Sequence, residues 1–211
     1  MECIQIPLGP LQTNCYILYK EDKTCLIFDP GEESDKLKSF IKQQQFKPLA
    51  IIVTHAHYDH IGAVDDIREE YKIPVYIHEN EADWLVDPVL NGSIEENMVK
   101  TIRGKRADHL ISEEQAMSIG NFHFHIYETP GHSPGSISLY FEEAKLVISG
   151  DALFKGSIGR TDFAFGNHSQ LINSIREKLL TLPEETIVLP GHGPATTIGQ
   201  EMDSNPFLHG F

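Results

Sequence analysis

The segment Thr54-His55-Ala56-His57-Tyr58-Asp59-His60 constrains this chain more than any other. Three imidazoles and a carboxylate within six residues make a nitrogen and oxygen donor set suited to zinc or iron. The segment follows Ala50-Ile51-Ile52-Val53, an apolar run that reads as a short buried strand. On an extended continuation His55 and His57, two positions apart, project the same way and can grip one ion. Asp59 and His60 lie past the turn, at the start of a helix, and can face a second ion. Chance clustering on a polar loop does not account for so dense a donor set at a strand end.

Three further donors sit where predicted strands stop. His132, in Thr129-Pro130-Gly131-His132-Ser133-Pro134-Gly135-Ser136, follows a strand over 122–127. Asp151 follows Leu146-Val147-Ile148-Ser149-Gly150, where its carboxylate can bridge two ions. His192 follows a strand over 186–189 through Pro190-Gly191. Taken singly, each is turn punctuation with a polar residue attached; taken in this order with the first cluster, they form a set. His123 and His125 alternate with Phe122, Phe124 and Ile126 and belong on the wetter face of a strand. His78, His109, His168 and His209 have no ligand partner in sequence and are read as surface or packing residues.

The rest of the chain reads as alternating strands and helices. Strands are predicted over 15–19, 24–28, 50–53, 75–78, 122–127, 136–141, 146–149 and 186–189, and helices over 34–45, 61–71 and 169–180. Residues 86–107, broken by Asn91-Gly92-Ser93 and Gly104, read as an insertion loop or short helices near the mouth of the site. Each half supplies both element types, which predicts an α/β fold of two sheets with helices outside, as one domain over 1–211.

Composition removes several function classes. The 211 residues are 40% hydrophobic and 23% charged, a globular mixture. Lys plus Arg number 17 against 31 Asp plus Glu, a net charge of -14 that offers no footprint for nucleic acid or an anionic membrane. The opening Met1-Glu2-Cys3-Ile4-Gln5-Ile6-Pro7 lacks the pattern of a secretory signal. Cys3, Cys15 and Cys25 fit neither a disulfide framework nor a cysteine metal site, so a cytoplasmic protein with reduced thiols is expected.

The order H-x-H-x-D-H, Gly-His, Gly-Asp, Gly-His resembles the metallo-β-lactamase superfamily over nearly the whole chain. That resemblance implies a four-layer αβ/βα sandwich of two mixed sheets flanked by helices. It implies one ion on His55, His57 and His132, a second on Asp59, His60 and His192, and Asp151 bridging them. The ions expected are two divalent cations, zinc first, with iron or manganese as alternatives. Asp59 is the residue expected to orient a bridging hydroxide and take its proton. Ser133 either ties down the His132 turn or is simply part of it.

Leu153-Phe154, the run Gly156-Ser157-Ile158-Gly159-Arg160-Thr161-Asp162, and Gly9-Pro10-Leu11-Gln12-Thr13-Asn14-Cys15-Tyr16 narrow the resemblance to glyoxalase II-like proteins and persulfide dioxygenases. The implied reaction is hydrolysis of a small thioester of the hydroxyacylglutathione type. Arg160 matches a basic residue that contacts the glutathione moiety; its other reading is an ion pair with Asp162 that braces the loop. Asp162 stands where the family carries a tyrosine, and no C-terminal helical glutathione-binding domain is expected. The rivals are a mononuclear-iron persulfide dioxygenase using His132, Asp151 and His55 or its neighbours, and a hydrolase of another small ester or lactone. A small-molecule substrate is the partner expected; oligomeric state is left open.

Overall fold

Residues 2–28 form a meander that the sequence patterning anticipates in part. Strands β1 (Glu2–Leu8), β2 (Thr13–Tyr19) and β3 (Thr24–Phe28) pair antiparallel, with Glu2 opposite Tyr19 and Tyr16 opposite Phe28. β1 was not predicted, because its polar Glu2 and Gln5 and its Pro7 weaken the strand signal. β1 lies at the end of the strand order, however, and an edge strand is where a sheet tolerates proline. The computed structural model describes residues 1–94 and 101–208. These fall into two compact units, Met1–Ser112 and Glu113–Phe211.

In the first unit the sheet continues from β3 through parallel strands β4 (Lys47–Ile52), β5 (Val75–His78) and β6 (His109–Ile111). Helix α1 (Ser34–Gln44) crosses from β3 to β4 and buries Leu37 and Ile41. These pack with Ile27, Ile51, Val75 and Ile77 in one apolar cluster. Truncating a side chain such as Leu37 to alanine there costs about 2–5 kcal/mol.

The predicted helix over 61–71 is in fact two: α2 (Tyr58–Ile61) and α3 (Val64–Tyr71). The break has a steric cause. A side chain on Gly62 would place its Cβ 2.1 Å from the Gly31 carbonyl oxygen, and one on Gly31 would come 2.0 Å from the Asp59 carbonyl oxygen. The two glycines let the loop after β3 lie directly on the loop after β4, and the Ala63 amide donates to the Pro30 carbonyl at 2.9 Å. Asp29 is thereby delivered to the histidine segment.

The second unit carries a six-stranded sheet in the order β14-β13-β10-β9-β8-β7. Its strands are β7 (Gln115–Ile119), β8 (Phe122–Glu128), β9 (Ile137–Phe141), β10 (Leu146–Gly150), β13 (Ile187–Pro190) and β14 (Thr196–Thr197). A small hairpin, β11 (Leu153–Phe154) and β12 (Ser157–Ile158), lies outside it. Only β10 and β13 pair parallel, so the residues that follow them emerge side by side. His123 and His125 lie on the exposed face of β8, and Phe122, Phe124 and Ile126 on the buried one.

Helix α4 (His168–Ser174) is capped by the Asn167 side chain, which accepts from the Gln170 amide at 3.0 Å. It runs on into a π turn, Ile175–Leu179, where the Leu180 amide reaches back to the Ile175 carbonyl. α5 (Ile198–Ser204) was not predicted; its seven residues are too few to show a period. Residues 86–94 are turns and 101–107 hold no regular element; the part of that predicted loop over 95–100 and the reading of His209 lie outside the described residues. Among the described residues no helix is long and apolar enough to cross a membrane.

Candidate metal centre

In the first unit the donors leave the C-terminal end of β4, as ligand-bearing residues do in sheets with parallel strands. His55 and His60 are fully buried, and their ring centroids stand 4.0 Å apart; His55 and His57 are 4.9 Å apart, edge to face. His60 Nε2 lies 3.4 Å from Asp59 Oδ2. Two ligand atoms each about 2.0–2.2 Å from one tetrahedral ion stand roughly 3.3–3.6 Å apart. The separation therefore suits a shared ion.

Neighbouring side chains fix which nitrogen faces that position. His60 Nδ1 lies 3.0 Å from Asp29 Oδ2, so it carries the proton and Nε2 keeps its lone pair. Asp29 also accepts from the Thr54 amide at 2.7 Å and the Thr54 hydroxyl at 2.6 Å. Because that hydroxyl donates to Asp29, its oxygen is the acceptor for His55 Nδ1 at 3.2 Å, which again leaves Nε2 as the donor atom for a metal. Thr13 Oγ1 donates to Asp59 Oδ2 at 2.7 Å. The buried Glu81 accepts from the Ala56 amide, and the Trp84 ring lies 5.6 Å from that of His57.

In the second unit Asp151 Oδ2 is 3.6 Å from His132 Nε2 and 3.6 Å from His192 Nε2. One carboxylate oxygen thus stands equally far from two imidazoles, at the outer end of the shared-ion range. His132 Nδ1 donates to the Arg160 carbonyl at 2.7 Å, so its Nε2 also keeps a lone pair. The Pro130 carbonyl accepts from Ser174 Oγ, and the Ser133 hydroxyl meets that of Ser136 at 2.7 Å, inside the turn. His192 reaches its place because the Gly191 amide bonds to the Gly150 carbonyl.

The family model of the metallo-β-lactamase superfamily matches residues 8–192. The chain belongs to this superfamily. It is 54% identical to the probable metallo-hydrolase YqgX of Bacillus subtilis, over all of this chain and 99% of that one. It is 36% identical to the hydroxyacylglutathione hydrolase GloC of Haemophilus influenzae, over 97% and 96%. Among solved structures, BLEG-1 B3 metallo-β-lactamase superposes with a TM-score of 0.97 at 54% identity, covering 99% of this chain and 100% of that one. TTHA1623 in a di-iron-bound form gives 0.86 at 36% identity, over 97% and 100%. The metallo-β-lactamase fold and a metal-dependent hydrolase follow.

As in a member of this superfamily, the donors of each unit are all imidazole nitrogens and carboxylate oxygens, chemistry that fits zinc, iron or manganese. The thiols do not compete: burial pushes Cys3 and Cys25 up to about 12 and Cys15 well above its ordinary value. The Arg160 guanidinium makes a bidentate pair with Asp162, both contacts at 2.9 Å, and two-thirds of its surface is open to solvent. Sequence reasoning missed Asp29, Thr13, Glu81 and the carbonyl of Arg160. Asp29 did carry a signal, since Asp29-Pro30-Gly31 ends a strand as the ligand-bearing turns do.

Proposed function

We propose that this protein hydrolyses a small thioester of the hydroxyacylglutathione type at a two-metal centre. In this reading His55, His57 and His132 hold one ion, Asp59, His60 and His192 the other, and Asp151 serves both. The observation that carries it is the Asp151 oxygen standing 3.6 Å from both His132 and His192, residues assigned to different ions. Two divalent ions supply Lewis acidity and a hydroxide nucleophile at neutral pH. The chain's own residues do the rest. Asp59, held by Thr13, orients the nucleophile and receives its proton at a carboxylate oxygen. His55, His60 and His132 keep fixed ring orientations through Thr54, Asp29 and the Arg160 carbonyl. A thiol of ordinary pKa, about 8.5, departs as thiolate near neutral pH with little help from an acid. The exposed Arg160 guanidinium, with Nη1 outside its pair with Asp162, is the cation offered to an anionic substrate. The named relative GloC supports the thioester.

The superposition on a B3 metallo-β-lactamase favours a second reading, hydrolysis of a β-lactam amide, whose amine leaving group has to be protonated. The test is a panel of S-lactoylglutathione, a β-lactam and glutathione persulfide, assayed with protein of measured metal content. Thioester turnover with two ions per chain is expected. β-Lactam turnover alone selects the second reading, and oxygen consumption with persulfide at one iron per chain replaces both.

A further inference from the structure

The eight residues Arg160-Thr161-Asp162-Phe163-Ala164-Phe165-Gly166-Asn167 are tied at both ends to the turn that carries His132. At the entry the Arg160 carbonyl accepts from His132 Nδ1 at 2.7 Å. At the exit the Asn167 amide donates to the Gly131 carbonyl, also at 2.7 Å. Just before the loop, Gly159 lies so close that a Cβ there would fall 1.8 Å from the Asp151 carbonyl oxygen and 3.2 Å from His132 Cβ. The loop is therefore seated directly on two of the predicted ligands.

What it displays there is apolar. Phe163 is 41% exposed and Phe165 61% exposed. The Phe163 ring stands edge-on to His132 at 5.9 Å, and the Arg160 guanidinium lies 4.2 Å from its centroid. The Gly166 amide closes a turn onto the Phe163 carbonyl at 3.0 Å. Phe165 occupies that turn with φ +71°, a left-handed conformation ordinarily left to glycine or asparagine. Phe165 thus keeps a left-handed backbone with more than half of its surface in water. Strain of this kind gathers where a ligand is held.

We propose that this loop is the substrate-recognition element of the site, with Phe163 and Phe165 contacting an apolar acyl group of the thioester. The inference rests on the thioesterase reading and deepens it: the preferred acyl group is aromatic or branched, and not merely small. Acetyl and phenylacetyl thioesters of glutathione share a leaving group and differ only where the rings would touch. Wild-type enzyme should favour phenylacetyl by about tenfold or more in kcat/KM, the order of discrimination given by one or two carbons against an apolar wall. Phe163→Ala and Phe165→Gly should lower that ratio several-fold. The non-hydrolysable thioether S-phenethylglutathione, followed by calorimetry, should bind more weakly to both variants by a similar factor. Phe165→Gly should also hold or raise the melting temperature, since it relieves the strained φ, whereas a structural role predicts a loss. Turnover of both thioesters with an unchanged ratio and unchanged thioether affinity would overturn the recognition role and leave the thioesterase reading intact. Failure to hydrolyse any thioester would remove that reading, and this inference with it.

Discussion

Asp29 shows how much depends on one carboxylate outside the ligand set. Its Oδ2 receives both His60 Nδ1 and the Thr54 hydroxyl, and its Oδ1 receives the Thr54 amide. An asparagine has the same shape, but whichever way its amide is turned an NH2 group faces a donor. Asp29→Asn should therefore weaken metal binding about 10–100-fold while leaving the fold in place. A chelator-competition titration reads this directly, and unchanged affinity would show that His60 is oriented without it. Arg160 presents a choice of the same kind. As a substrate contact, its loss in Arg160→Ala should raise KM by a factor matching about 1.5–3 kcal/mol at constant metal content. As a brace alone, Arg160→Ala and Asp162→Ala should lower the melting temperature alike and leave KM unmoved. Both partners are about two-thirds exposed, so the pair itself contributes little stability in water. That low contribution makes the KM outcome the expected one.

Among the elements, the juncture between the loop after β3 and the break before α3 is built too tightly to accept a side chain at either of its glycines. Gly62→Ala forces a methyl group to within 2.1 Å of the Gly31 carbonyl oxygen. The cost should be about 1–3 kcal/mol, as for other overpacked sites, and metal affinity should fall with it because Asp29 is displaced. A denaturant titration beside a metal titration tests both; a stable variant with lowered affinity would separate the two effects. The same juncture explains what was legible beforehand. The histidine segment and the Gly-His, Gly-Asp and Gly-His turns are local patterns, and a period of two marks the faces of β8. The split of the predicted helix at Gly62 was not legible, since its cause is a backbone 31 residues away in sequence. Asp29 was hidden for the same reason: it reads as strand punctuation until the loop carrying it is laid against His60. β1, β14 and α5 were missed because edge strands and short helices carry too few periodic positions to count.

At the scale of the molecule, buried thiols set a limit on alkaline stability. Burial pushes Cys25 up to about 12, whereas an unfolded thiol loses its proton near about 8.5. Between those values the unfolded chain binds fewer protons than the folded one, so stability is full below about pH 8.5 and declines as pH rises. The slope reaches up to about 1.4 kcal/mol per pH unit for such a thiol. Urea unfolding at pH 7.5, 9 and 10 should show this decline, and Cys25→Ala should make it shallower; a flat profile in the wild type would contradict it. The anchoring of residues 160–167 has a different kind of consequence, one that plays out across lineages. Its entry and exit are held by a main-chain carbonyl and a main-chain amide, which mutation of the side chains does not remove. Gly166 is fixed, since a Cβ there would fall 2.4 Å from the Thr161 carbonyl oxygen, but the other side chains between them can change while the ligands below keep their places. A protein built this way can exchange one diet of substrates for another by rewriting half a dozen codons, with its catalytic inheritance passed on unedited.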